Sequence, residues 1–488
     1  MAARADDLDI RDDFSLLIGG ELVTGDNWLD VINPATEQVF ARCPAASEVQ
    51  LDAAIAAAQS AFPVWSRLDY EARAIYVKRY TALLAEHYDE LTVLLVREQG
   101  KPIAQARAEL DSCLQQADDT VGLQIPVELL VEDDTHRIEL HYRPLGVIGI
   151  ITPWNAPAAL ALGSLSSAVY TGNTVVIKPS PYTPLTTLKM GELAQEIFPP
   201  GVVNIVAGGD ELGRQLTEHP EVQKISFTGS VATGKKVLAS TAPSLKRVTL
   251  ELGGNDPAIV LDDANPKAIA KRLFFACFVN SGQVCMAIKR IYAHEDIYEE
   301  LCDVLAEEAR TAPYGDGLDP NNRLGPLQNK MQYDKVVDIF EETKRCGARI
   351  LAGGDVPDRP GYFLPPTYVT DIDEDSRLVR EEQFGPIVPI LKFKDPEDAI
   401  RRANDTRYGL SGSVWTTDSE RGKDIAQRLE VGTAWVNQHR AISAYVPFGG
   451  AKESGMGRQH SVLGLKGYME PQVISVTDQG SGERNVIR

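Results

Sequence analysis

Two side chains define the chemistry open to this chain: Glu251, in Glu-Leu-Gly-Gly-Asn (251–255), and Cys285, in Ser-Gly-Gln-Val-Cys (281–285), 285 − 251 = 34 positions further on. A thiolate can attack an electrophilic carbonyl to form a covalent adduct. A carboxylate that withdraws a proton from water then releases the product by hydrolysis. In isolation a cysteine reads as a small buried hydrophobe and a glutamate as a solvated surface charge. The context here is richer. A strand-like run, Arg-Val-Thr-Leu (247–250), delivers Glu251 into a Gly-Gly turn, and Thr-Pro-Trp-Asn-Ala-Pro (152–157) sets Asn155 directly after a strand end. Attack by a thiol puts negative charge on the carbonyl oxygen, which the Asn155 amide and the Cys285 backbone N–H could stabilise. The plainer reading of Asn155 is a turn former beside prolines.

The elements that must position these groups can be read from periodicity. Ser47-Glu-Val-Gln50 forms a capping box ahead of an Ala-rich helix over 48–61, and a long amphipathic helix is expected over 70–99, stopped by Gly100 and Pro102. From residue 147 short apolar runs (147–151, 174–177, 202–206, 224–227, 248–250, 258–261) alternate with helical stretches, the pattern of βαβ units around a parallel sheet. A second α/β series runs from Gly253 to about Lys452. Residues 124–144 alternate like a projecting hairpin, and 472–477 form a strand in need of a partner.

Lys178 closes the run Val-Val-Ile-Lys-Pro-Ser (175–180), at the edge where an open α/β sheet binds ligands. Ile-Ser-Phe-Thr-Gly-Ser-Val-Ala-Thr-Gly (225–234) reads as strand, Gly-Ser turn and helix, so that backbone N–H groups and the Ser230 hydroxyl can face a pyrophosphate. The same stretch mimics an ATPase phosphate loop through Gly229, Gly234 and Lys235, but Lys236 stands where a magnesium-binding Ser or Thr is required. A tight βα corner is the bland alternative.

With 49 basic and 69 acidic residues in 488 the net charge is −20, which disfavours nucleic acid and anionic membranes as partners. Hydrophobic content of 43% fits an ordinary globular protein of two or three domains. The six cysteines show neither CxxC pairs nor interleaved histidines, so neither a disulfide framework nor a metal site is expected. No signal-like or membrane-spanning run occurs, and a cytoplasmic location with reduced thiols is expected.

The segments around Glu251 and Cys285 together resemble the two signature segments of the aldehyde dehydrogenase superfamily, and the resemblance extends from about Asn33 to Val476. It implies an α/β fold of two domains with parallel-type sheets: a Rossmann-like dinucleotide-binding domain (1–123 and 145–252) and a catalytic domain (253–452). A β flap with the C-terminal tail (124–144 and 453–488) would pair strands between subunits of a homodimer or homotetramer. The implied reaction is NAD(P)-dependent oxidation of a small-molecule aldehyde through a thiohemiacetal and a thioester, with Cys285 as nucleophile, Glu251 as base and Asn155 in the oxyanion hole. Glu251 argues against the branch that hands its acyl group to coenzyme A, and esters activated enough could be cleaved by the same thiol. Cofactor contacts carried over by the resemblance are Thr152, Pro153, Trp154, Lys178, Ser180, Pro181, Gly209, Gly213, Phe227, Thr228, Gly229, Ser230, Leu252, Gly253, Glu382 and Phe384. Of these, Lys178 would meet the adenosine ribose, Glu382 the nicotinamide ribose, and Phe384 would pack near the ring. Substrate-pocket residues are Ala156, Leu160, Gly163, Val284, Met286, Arg440, Ile442 and Phe448.

The chain departs from the family in four places. Ala156 stands where Phe is usual, and Gly163-Ser164 where a Trp-Lys pair is usual, so a widened tunnel and a bulky aldehyde (aromatic, terpenoid or long-chain) are expected. The absent lysine at Ser164 coincides with Gln459 in place of Glu, which removes both charges of the family's proton relay. Pro181 replaces a glutamate that would repel a 2′-phosphate, so NAD is the first expectation with NADP use left open. Finally, His439 and Arg440 precede Pro447-Phe-Gly-Gly at the substrate entrance, where Arg440 reads either as a solvated loop cation or as a partner for a substrate carboxylate.

Overall fold

A computed structural model describes residues 14–134 and 136–477. Five parallel strands form the centre of an eight-stranded sheet: Val203–Ile205, Thr174–Lys178, Val147–Ile151, Val222–Thr228 and Arg247–Glu251, in that spatial order. Antiparallel edges close it, with Leu16–Ile18 and Glu21–Val23 on one side and Gly455–Met456 on the other. Alternation along the strands splits their apolar side chains between two cores. Ile148, Ile150, Val175 and Ile177 pack with Trp65, Tyr80 and Leu165. Val147, Val176 and Ile225 pack with Leu51, Ile55 and Leu216 on the opposite face.

A seven-stranded sheet carries the second series, ordered Arg349–Ala352, Thr367–Thr370, Ile387–Phe393, Ile288–His294, Asp256–Val260, Ser411–Trp415 and Thr433–Val436. It is parallel except for its first pair. Both faces are again covered: Ala258, Val260 and Ile390 lie in one cluster, and Ile259, Tyr292 and Val414 in another. This is the α/β architecture expected from the sequence.

The capping box is formed. Ser47 Oγ accepts from the Gln50 N–H at 3.3 Å and Gln50 Oε1 from the Ser47 N–H at 3.1 Å, and the helix runs Glu48–Trp65 rather than ending at residue 61. The expected single helix over 70–99 is two helices, Tyr70–Glu86 and Tyr88–Gln99. The break falls at His87, which leaves helical geometry (φ −98°, ψ 19°) while its Nδ1 lies 2.9 Å from Glu90 in the next helix's first turn. Gly100 then ends the second helix in left-handed geometry at φ +92°, where a side chain would run into Pro34 and Pro326.

The C-terminal strand finds its partner within the same chain. Met469–Thr477 pairs antiparallel with His136–Pro144, itself paired with Glu128–Glu132, in a separate three-stranded sheet. Leu129, Leu130, Val473 and Val476 of this flap stay exposed.

Candidate active site

Register determines what meets at the carboxyl edge of the first sheet. Ile151 aligns with Lys178 and Phe227, and Thr228 with Glu251, so Thr152, Lys178, Thr228 and Glu251 arrive at one level. The corners beyond them are fixed by backbone bonds, Thr152 N to Lys178 O (3.2 Å) and Gly229 N to Glu251 O (3.0 Å). Lys178 is buried, with Nζ donating to Pro179 O at 3.3 Å. Burial lowers its ammonium to about 8, with Asp210 acting the other way. The helix Asp210–Glu218 begins at Gly209 without a side-chain cap, and a side chain added at Gly209 would meet nothing, which leaves its N–H groups open to an anion. Gly213, on the same helix, faces the Lys178 stem.

Some predicted contacts serve the fold first. Ser230 caps the helix Val231–Thr241 by accepting from Thr233 N at 3.2 Å, and Ser180 Oγ accepts from Tyr182 N at 3.3 Å. Phe227 and Leu252 are buried in a hydrophobic cluster; Gly229 is needed because a side chain there would strike the Phe227 ring, and Gly234 because one would strike Leu252. Pro181 is half-buried beside Ser180. Glu382 Oε1 accepts from Gly254 N at 3.0 Å, and Gly253 packs so close to the carboxylate that no side chain could stand there. Phe384 lies edge-on to Trp154 at 5.3 Å, following Pro153 and Thr152 into the same cleft. The open helix N-terminus, the buried lysine and the Glu382 carboxylate form a donor and acceptor set that fits a dinucleotide.

Cys285 lies on a loop made rigid before it is reached. Asn280, Ser281 and Gly282 are all left-handed (φ +51°, +54°, +76°), and a side chain at Gly282 would collide with the Gly385 carbonyl. Gln283 holds the turn from inside: Nε2 donates to Asn280 O (2.9 Å) and Oε1 accepts from Gln328 N (2.8 Å). Asn155 reaches across from the first sheet, its Nδ2 donating to Gln283 O at 3.0 Å. The Asn155 carbonyl in turn accepts from Asn280 Nδ2 (3.0 Å) and from Lys101 Nζ (2.9 Å). Lys101 is buried and paired with Glu109, whose other oxygen accepts from Ala159 N at 3.1 Å. Sequence reasoning saw Gly100 and Pro102 only as a helix stop, and missed that Lys101 between them clamps Asn155. No sequence signal marked it, since the burial of a lysine just past a helix end shows only in the fold.

Lys289 was missed as well. It is buried four residues after the cysteine, and its Nζ donates to the carbonyls of Val284 (2.8 Å), Cys285 (2.7 Å) and Ala287 (3.2 Å). Burial pushes the Cys285 thiol up to about 12, and the Glu382, Asp256 and Glu251 carboxylates add to this while Lys289 opposes it. Burial therefore favours the thiol form of Cys285 over the thiolate. Glu251 is buried with neither carboxylate oxygen hydrogen-bonded; desolvation raises its pKa well above the usual range, with Arg458 pulling the other way. The form that burial favours is the neutral one, and the unpaired carboxylate is the costlier state.

The pocket wall beside the thiol is apolar. Met286 and Ile442 pack with Cys285 on buried Leu410, Trp435 and Phe448. Phe448 is fixed by reciprocal backbone bonds to Gln459 (2.9 and 2.7 Å). Ala156 and Leu160 lie in the first turn of the helix Pro157–Tyr170, Val284 stands next to the thiol, and at Gly163 an added side chain would meet no atom within 4 Å. Arg440 is not a freely solvated loop cation: its Nε is closed off from solvent and donates to nothing.

Fold and site together define the class, a two-sheet α/β oxidoreductase with a thiol at the seam of a nucleotide-binding edge. The aldehyde dehydrogenase family model matches residues 23–474. A probable aldehyde dehydrogenase of Pseudomonas sp is 39% identical over 469 residues, covering 96% of this chain and 95% of its own. A putative aldehyde dehydrogenase from Burkholderia cenocepacia superposes with a TM-score of 0.94 at 35% identity, over 97% of this chain and 100% of its own. The NAD+ complex of an aldehyde dehydrogenase from Bacillus cereus superposes at 0.93 with 35% identity, over 95% and 96%. The chain belongs to the aldehyde dehydrogenase family. It is a nicotinamide-dependent oxidoreductase that converts an aldehyde to its carboxylic acid.

Two outcomes follow from the burial of these groups. Glu251 is an acid whose folded-state pKa is raised above its unfolded value near 4.5, so its contribution to stability is fully present below that pH and declines as pH rises through the folded pKa. Glu251→Gln should therefore raise Tm at pH 8 and leave it almost unchanged at pH 4.5; equal shifts at both would contradict the raised pKa. For the thiol, the iodoacetamide labelling rate assigned to Cys285 by comparison with Cys285→Ala should climb about tenfold per pH unit from 8 to 10. A plateau near pH 8 would mean a thiolate already formed.

Proposed function

We propose that this enzyme oxidises bulky aldehydes, whether aromatic, terpenoid or long-chain, with Cys285 as nucleophile, Glu251 as base and Asn155 in the oxyanion hole. The observation that carries the substrate class is the empty space at Gly163, in line with Ala156 at the start of the same helix. A missing aromatic wall left unfilled by neighbours is room for substrate.

Cys285 Sγ bonds to the aldehyde carbon as its proton passes to the Glu251 carboxylate, which returns it to solvent. The carbonyl oxygen becomes an alkoxide, toward which the second Asn155 Nδ2 proton and the Cys285 N–H supply donors; the first Nδ2 proton is held by Gln283 O. Thr152, Trp154, Lys178, Thr228, Glu382 and Phe384 would hold a nicotinamide cofactor, which would supply the hydride acceptor for this oxidation. Glu251, acting in its carboxylate form with its oxygens free of competing partners, then takes a proton from water as hydroxide adds to the thioester, and passes that proton to the departing Cys285 sulfur as the acid leaves. Lys101 and Glu109 keep Asn155 in place throughout.

NAD is the proposed cofactor, supported by the complex of the Bacillus relative, and Pro181 leaves NADP admissible because no carboxylate stands there to repel a 2′-phosphate. A reducing compartment, the cytoplasm, suits six free cysteines. Among the described residues no helix is long and apolar enough to cross a membrane. Homo-oligomerisation through the three-stranded flap is supported by the exposed Leu129, Leu130, Val473 and Val476.

Reduced-cofactor formation should be at least tenfold more efficient (kcat/KM) with bulky aldehydes than with acetaldehyde, and absent in Cys285→Ala. Comparable efficiency on acetaldehyde would remove the bulky-substrate reading, and activity surviving in the variant would remove Cys285 as nucleophile. In the same assay, loss of more than about 100-fold on replacing NAD by NADP would exclude dual use. By light scattering, the protein should have the mass of a dimer or tetramer and fall to a monomer in the double variant Val473→Lys, Val476→Lys; an unchanged mass would place the interface elsewhere.

A further inference from the structure

Arg440 is a cation without a counter-ion. Among the described residues it has no hydrogen bond and no ion pair, and its Nε is cut off from solvent. Its guanidinium carbon lies 5.6 Å over the Phe275 ring, whose face attracts a cation but leaves the donating edges unused. Arg440 as a whole is half-buried, yet a guanidinium nitrogen shut off from water is normally matched by a carboxylate or by carbonyl acceptors. Arg290 of this chain shows the usual solution, with Nε and Nη2 donating to Asn255 O (3.0 and 2.8 Å) and Nη2 to Ala403 O (3.0 Å).

The loop holds Arg440 in this state by fixing its neighbour. His439 Nε2 donates to Met286 O at 2.9 Å, a carbonyl that can only accept, so Nδ1 accepts from Ser413 Oγ at 2.9 Å. The imidazole is also edge-on to Trp435 at 4.9 Å and has no exposed side-chain surface. Arg440 then takes left-handed geometry (φ +65°), as does Asn437 (φ +54°), whose Oδ1 accepts from Thr416 N at 2.9 Å. With His439 anchored beneath Met286, next to the nucleophile, Arg440 is left within electrostatic reach of Cys285. Cys285 cannot neutralise it at rest, because burial keeps the thiol protonated.

We propose that Arg440 is the anion-recognising end of the substrate pocket, and that the preferred aldehydes carry a carboxylate remote from the reacting carbonyl. This deepens the proposed oxidation of bulky aldehydes and rests on it. The pocket would take an amphipathic substrate: an apolar body against Met286, Ile442 and Phe448 in the space at Gly163, and a carboxylate on the guanidinium. A planar guanidinium offers two parallel donors to such a group.

The probes are 3- and 4-carboxybenzaldehyde against their neutral methyl esters, with either cofactor. Wild-type kcat/KM should favour at least one acid over its ester by tenfold or more. In Arg440→Met that preference should vanish through a rise in KM for the acid, while the constants for the esters stay within about twofold; Arg440→Lys should keep part of it. Comparing the variants at fixed substrate removes the intrinsic difference in carbonyl reactivity between acid and ester. No acid preference in the wild type, or an equal loss on acid and ester in Arg440→Met, would overturn the proposal, the second by assigning Arg440 to the thiol or the fold. If esters are oxidised without acid preference, the bulky-aldehyde reading stands and only Arg440 fails. If neither is oxidised while acetaldehyde is, the bulky-aldehyde reading fails and takes this inference with it.

Discussion

The structure depends on one knot of backbone and amide groups around Asn155. Its side chain holds the Gln283 carbonyl, and its own carbonyl is held by Asn280 and Lys101. Asn155 follows a strand of the first sheet, while Asn280 and Gln283 precede the nucleophile that leads into the second. The knot therefore joins the two sheets at the point where a nucleotide edge must face a thiol. Three successive left-handed residues are held there by the Asn280 and Gln283 bonds and by Ser281 Oγ donating to Gly325 O at 2.7 Å, while Asn280 Oδ1 finds no partner among the described residues. Without that network the loop would have cheaper conformations, and Cys285 would have no fixed position relative to Glu251.

Burial then governs the electrostatics. Burial pushes the thiol and Glu251 toward their neutral forms and raises Asp256 to about 7 against the opposing pull of Lys289 and the Ser411 hydrogen bonds. His439, lowered by burial to about 3, is neutral too. Lys289 carries the compensating charge but directs it to carbonyl oxygens, which fixes the chain around Cys285. Neutral acids in such a site can give protons to anions as the reaction creates them, and preorganised donors cost no rearrangement at that moment.

Much of this was legible in the sequence because it rests on local rules. The strands of the first sheet follow from runs of Val and Ile bounded by turns, and the helix at Glu48 from its capping box. The order of motifs around Glu251 and Cys285 was sufficient for the family. Other features were not local. The break at His87 interrupts a continuous helical pattern, and the partner of Met469–Thr477, His136–Pro144, lies more than three hundred residues away along the chain. Lys101 and Arg440 look like ordinary surface cations in sequence, because nothing in their neighbours reveals burial.

The sequence by itself determined the class of chemistry, the two α/β series and the positions of small residues where large ones are usual, all of which are encoded in residue type and spacing. The tertiary structure decided that Gly163 leaves unfilled space, that burial favours the thiol form of Cys285, that Lys101 clamps Asn155 and that Arg440 has no counter-ion among the described residues. The physical reason is the same for each. Desolvation and the identity of a hydrogen-bond partner are properties of what surrounds a group in space, and those surroundings come from segments far apart along the chain.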